Sequence, residues 1–193
     1  MPRLFSDEDR NIIRSKMISE GIERLSTMNY KSISLDDITA AVGIAKGTFY
    51  NFFSSKEHFF YEIMQQIKED NRVELLALAE PGCPSKEQIY TCLSDRYLNK
   101  KTVYHYFTID EMKLILRRIP DGDYKNDSTQ FAELLLEKMG IQKENVSEVV
   151  VNLFNVLAMT ASNRSLLESR AYEETISVLC HALTDYIYKE MEV

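Results

Sequence analysis

Between Ser34 and Phe53 two short runs of helical periodicity meet at a single glycine, and few local folds accommodate that arrangement. Ser34 is a helix N-cap residue followed by Asp36 and Asp37, whose charges suit a helix start. Leu35, Ile38 and Val42 then recur on one face, which predicts a helix over Leu35–Val42. Gly43 is the natural left-handed residue just past such a helix. Ile44 returns to the interior, and a third short helix is expected over about 45–51. Two short helices joined by a glycine-containing turn make a helix-turn-helix, whose second helix enters a DNA major groove while the first crosses the backbone.

Ile38, Val42, Ile44 and Phe49 supply the small shared core that would fix the angle between the two helices. Ala45, Lys46, Gly47, Thr48, Tyr50 and Asn51 remain outside it, all small or able to hydrogen bond. A glycine inside a helix costs about 1 kcal/mol relative to alanine. Gly47 therefore marks either a close approach of backbone to DNA or a helix too short to suffer from it.

The remainder of the chain is helical by the same signals. Only six glycines and four prolines interrupt 193 residues. Ser6 with Asp9 predicts a capped first helix over Asp7–Met28, its apolar face carried by Ile12, Ile13, Met17, Ile18, Ile22 and Leu25. Ser54-Ser55-Lys56-Glu57 opens a long helix reaching about Ala79. Pro81-Gly82-Cys83-Pro84 is the strongest break, followed by expected helices at about 85–100, 102–118, 127–139, 143–163 and 171–190, with turn signals at Pro120-Asp121-Gly122-Asp123 and Gly140. The expected fold is all-α with about nine helices: a three-helix DNA-binding domain over 1–55, then a helical domain over 56–193 connected through helix 56–79.

Charge narrows the partners. The net charge of −7 is carried wholly by residues 61–193, since residues 1–60 hold eight Lys/Arg and eight Asp/Glu. A neutral end on an acidic body permits a small DNA-facing patch without demonstrating one. The acidic start and the absence of any run of 18 apolar residues argue against a signal peptide and a membrane span. Three cysteines without paired short spacing then read as reduced thiols of a cytoplasmic protein.

The stretch Ile33–Glu57 resembles the DNA-binding signature of the tetracycline-repressor (TetR) family. The likeness rests on the Ile38-x-x-x-x-Gly43-Ile44 turn, on Lys46-Gly47-Thr48-Phe49-Tyr50, and on Phe53-x-x-Lys56-Glu57. It covers about residues 7–70. The resemblance implies that Lys46, Thr48, Tyr50 and Asn51 face DNA, with Ala45 and Gly47 beside them, while Ser34 and Lys56 hold phosphates. A phosphate near Lys56 would also meet a helix N-terminus. Many relatives carry Ser where this chain has Ala45 and His where it has Phe52, so two contacts open to them are missing here. Tyr50 packed beneath its helix and Lys46 as a solvated lysine are the plainer alternatives.

The resemblance further implies a C-terminal domain that binds a small ligand and forms a homodimer through its last two helices. Apolar faces on both helices, including Val150, Phe154, Leu157, Leu179 and Leu183, suit either a dimer interface or the chain's own core. Tyr97, Tyr104 and Phe107 are candidates to line a pocket for a mostly apolar effector, or are core aromatics. His58, His105, His181 and the cysteines lack metal-ligand spacing, and there is no phosphate-binding glycine loop or nucleophile elbow. Neither an enzyme, a metal site nor a cofactor is expected. The expected function is a regulator, a repressor of a near-palindromic operator released by its ligand. The alternative is a helical small-molecule-binding or adaptor protein without DNA binding.

Overall fold

A reciprocal pair of bonds starts the first helix: the Asp9 amide donates to Ser6 Oγ and the Ser6 amide donates to the Asp9 carboxylate, both at 3.1 Å. The computed structural model describes residues 6–80, 83–99, 102–120 and 128–191. The turn signals at Pro81-Gly82 and Asp121-Gly122-Asp123, and the first five residues, lie outside them. Among the described residues there are ten α-helices and one 3-10 turn.

Helix α1 (Asp7–Leu25) stops short of Met28. The Ser26 and Thr27 hydroxyls donate back to the carbonyls of Glu23 (2.6 Å) and Arg24 (3.1 Å), which turns the chain there. Helix α2 (Leu35–Val42) has the expected bounds. Gly43 ends it at φ 77°, and the Ile44 amide donates back to the Thr39 carbonyl at 2.9 Å. Helix α3 covers only Lys46–Phe49, with Tyr50 and Asn51 in the turn that follows. Its N-cap position is Ala45, which has no side-chain acceptor for the free amides, and Gly47 weakens the helix further.

Helix α4 (Lys56–Ala79) is capped by Ser55, whose Oγ accepts from the His58 amide at 3.0 Å. His58 Nδ1 in turn accepts from the Ser54 amide at 3.1 Å. The second half of the chain holds α5 (Lys86–Leu98), α6 (Val103–Tyr106), α7 (Ile109–Leu116), α8 (Ser128–Lys138), α9 (Val146–Ser162), the 3-10 turn Arg164–Leu166, and α10 (Tyr172–Met191). The single helix expected over 102–118 is two. Phe107 adopts an extended conformation (φ −132°, ψ 135°) and buries its ring, so packing overrides the helical pattern at that residue.

The helices form two compact units, Met1–Gln66 with Asp110–Tyr124 and Ile67–Ile109 with Lys125–Val193. The division falls inside α4. In the first unit α1 packs on α2 and α2 on α3. Its center is aromatic: the rings of Phe49, Phe53 and Phe59 lie 5.0–5.4 Å apart, and Phe60 stands edge-on to Phe59 and Tyr30. In the second unit α10 packs on α5 and α9, and α9 also meets α6 and α8. Ile89, Leu93, Leu135, Val150, Leu157, Ile176 and Leu183 form its interior.

Gly21 determines how closely α1 approaches this aromatic center. A Cβ there would lie 2.4 Å from Ile63 Cδ1 and 2.8 Å from Phe59 Cζ. Gly21→Val is expected to destabilise the first unit by about 1–3 kcal/mol, the range typical of overpacking. Denaturant unfolding followed by circular dichroism measures this, and an unchanged midpoint would show that the two rows of side chains yield without cost.

Candidate nucleic-acid interface

The segment from Ser34 to Phe53 is organised around Phe49, which is 0% exposed. Ile33, Ile38 and Phe53 are buried with it, so α2 and α3 are held at a fixed angle by a common apolar center. What α3 and its following turn leave outside is Ala45, Lys46, Gly47, Tyr50 and Asn51, all exposed, with Thr48 half-buried. Tyr50 is 52% exposed, and its ring stands edge-on to Phe49 at 5.4 Å between centroids. A Cβ on Gly47 would meet nothing within 4 Å, so no neighbour in this chain requires a glycine there.

Lys46 is not idle. Its ammonium lies 3.0 Å from the Asp36 carboxylate, and both side chains are exposed. An exposed pair of this kind contributes only about 0.2–1 kcal/mol, so a phosphate can displace the carboxylate. Ser34 Oγ accepts from the Asp36 amide at 3.1 Å, which leaves its hydroxyl hydrogen available to a phosphate oxygen.

Lys56 has a structural occupation. Its Nζ donates to the carbonyls of Ile33 (2.6 Å) and Lys31 (3.1 Å) and sits 5.8 Å above the Phe60 ring. Desolvation by burial lowers its pKa from the usual lysine value, against a smaller opposing effect of Glu57. The ammonium thus ties the connector before α2 to the start of α4, with one N–H left for an anion.

Arg10 was not singled out from the sequence, although it belongs to this surface. Its guanidinium donates to the Asn51 carbonyl at 3.2 Å and lies 5.1 Å above the Phe52 ring. Phe52 therefore supports a cation. Nothing in the local pattern of α1 could reveal a contact made 41 residues away.

In the second unit Tyr97 and Tyr104 line one cavity of about 180 Å³. Phe107 is absent from its wall; it lies between α6 and α7 and is buried. The expectation of a shared interface surface on α9 and α10 also needs correction. Val150, Leu157 and Leu183 have no exposed surface and belong to the unit's own core, so they offer no area to a partner chain. Phe154 and Leu179 are half-buried. The large apolar side chains exposed on those helices are Val156, Met159 (59%) and Val178 (60%).

Residues 18–63 match the family described as "Bacterial regulatory proteins, tetR family". The chain is similar to the HTH-type transcriptional regulator YhgD of Bacillus subtilis, 30% identical over 100 residues and covering 51% of each chain. It is similar to the HTH-type transcriptional repressor DhaR of a Mycobacterium species, 34% identical over 61 residues, 32% of this chain and 31% of that one. It also matches DhaS of Lactococcus lactis, the HTH-type dhaKLM operon transcriptional activator, at 26% identity over 140 residues, 66% of this chain and 72% of that one. The match therefore spans about half the length of YhgD and under a third of DhaR. Among solved structures, a transcriptional regulator of the TetR family from Vibrio parahaemolyticus aligns over 87% of this chain and 96% of its own, at 19% identity and a TM-score of 0.45.

Proposed function

We infer, from the membership of this chain in the tetR family of bacterial DNA-binding regulators, that it is a repressor which binds a near-palindromic operator as a homodimer and is released by a small, mostly apolar ligand. The observation that carries the DNA-binding part is the surface of α3 and the turn after it: Lys46, Tyr50 and Asn51 exposed together on a backbone anchored by Phe49. Thr48 and Asn51 would supply hydrogen bonds to base edges or bound water, and Gly47 would let the backbone approach. With one lysine and no arginine on α3, DNA shape and water carry much of the specificity. Repression is favoured because occluding a promoter requires no contact with polymerase. No helix among the described residues is long and apolar enough to cross a membrane, in keeping with action on DNA in the cytoplasm.

Release is a matter of linkage. An effector held in the second unit must favour a conformation with lower DNA affinity, and DNA then weakens the effector by the same factor. Helix α4 supplies residues to both units and is the element through which such coupling would pass.

The test is selection of bound fragments from a genomic DNA library with the full chain. The expected product is one enriched near-palindrome with half-sites about 10 bp apart or a multiple of that, bound by two chains. Absence of any enriched sequence would remove the regulator reading. A bound site without dyad symmetry would remove the dimer.

A further inference from the structure

Helix α1 carries three arginines, Arg10, Arg14 and Arg24. Two of them are neutralised within the chain. Arg14 pairs with Glu62 at 2.7 Å, and Arg24 pairs with Glu20 at 2.6 Å and lies 3.8 Å from Asp37. Arg10 differs: among the described residues no carboxylate lies within ion-pair distance of it. The partners it does have are uncharged. The Asn51 carbonyl accepts from Nη2 at 3.2 Å, and the Phe52 ring center lies 5.1 Å from the guanidinium carbon. Both hold the side chain in place, and neither cancels its charge.

That place is the edge of the surface built on Phe49. Tyr50 and Asn51 are exposed in the turn after α3, and Arg10 is exposed beside them. A guanidinium has five N–H groups, and one here is engaged by Asn51. The others form a planar fork that matches two oxygens of a phosphate. Because ring and carbonyl already fix the side chain, less of its rotamer freedom is lost when an anion binds. Helix α3 itself brings one lysine and no arginine.

We propose that Arg10 is a DNA-phosphate contact supplied by α1, from outside the helix-turn-helix, with the Phe52 ring and the Asn51 carbonyl as its mount. The proposal rests on the reading of the chain as a DNA-binding regulator. It puts a held cation at the end of the reading segment, where a phosphate contact fixes register on the duplex without reading a base.

The experiment is fluorescence anisotropy of the full chain across a salt series, on the DNA fragment selected from the library and on a duplex of unrelated sequence. Arg10→Gln is expected to weaken binding to both by about tenfold, as suits loss of a charged hydrogen bond. The slope of log affinity against log salt should fall by about one per subunit. Arg10→Lys keeps the charge and should keep the slope. Phe52→Leu removes the mount but not the cation, so affinity should drop several-fold with the slope unchanged. Arg10→Gln within twofold of wild type overturns the proposal. So does weaker binding with an unchanged slope, which would make Arg10 a brace for Asn51 alone. If Arg10→Gln does not fold, Phe52→Leu decides: affinity equal to wild type overturns it. The two readings fail differently. A wild-type chain that binds neither duplex removes the regulator and this contact with it. A slope lowered by Lys46→Ala but not by Arg10→Gln removes only the contact.

Discussion

Phe49→Ala is expected to abolish DNA binding by unfolding the surface that presents it, at a cost of about 3–5 kcal/mol. The side chain is wholly buried, and its ring stands against Phe53 (5.3 Å) and Phe59 (5.4 Å). Its removal leaves a cavity where α3 meets α4. Helix α3 has only four residues and no N-cap bond, so it cannot persist on its own propensity. Its position comes from this packing. A loss of that size is a large part of the about 5–15 kcal/mol that stabilises an ordinary domain. Thermal unfolding followed by circular dichroism checks it, and a loss below about 1 kcal/mol would show that the aromatic cluster closes over the gap.

The neighbouring residue should behave in the opposite way. Tyr50→Ala combined with Lys46→Ala is expected to reduce affinity for the selected DNA by about 100-fold or more, from two contacts worth roughly 1–3 kcal/mol each, while stability stays within about 1 kcal/mol of wild type. Tyr50 is half exposed with its ring edge-on to Phe49, and Lys46 gives up an exposed pair with Asp36. The lysine change alone should lower the salt slope by about one per subunit. Fluorescence anisotropy across a salt series reads both quantities. Affinity within twofold of wild type would mean that this face does not meet DNA. Phe49 and Tyr50 are adjacent in the chain, so the pair separates loss of the scaffold from loss of the contact.

The contrast between those residues was legible in the sequence because it is a matter of helical register. Of the expected shared core, Ile38 and Phe49 are fully buried while Val42 and Ile44 are half-buried, and the left-handed turn at Gly43 follows from its missing side chain. The capped starts at Ser6 and Ser34 were readable for the same reason, since each cap bonds to an amide two or three residues away. Register was less informative in the second unit. The apolar faces of α9 and α10 were visible, but Val150, Leu157 and Leu183 are covered by their own chain. A hydrophobic stripe states that a face is buried without stating what buries it.

The sequence alone determined the all-α class, the bounds of α2 and α4, the helix-turn-helix and the residues that α3 exposes. All of these depend on interactions within a few residues along the chain. Tertiary structure decided the use made of long side chains. Lys56 caps carbonyls from the connector before α2, Arg10 holds the carbonyl of Asn51, and Arg96 is buried with its guanidinium 3.0 Å from the Glu74 carboxylate. Partners and desolvation for those cations come from elements distant in sequence, and no periodicity encodes them. Tertiary packing also drew Phe107 out of a helical pattern, because burying its ring outweighed the backbone bonds that an unbroken helix would have kept.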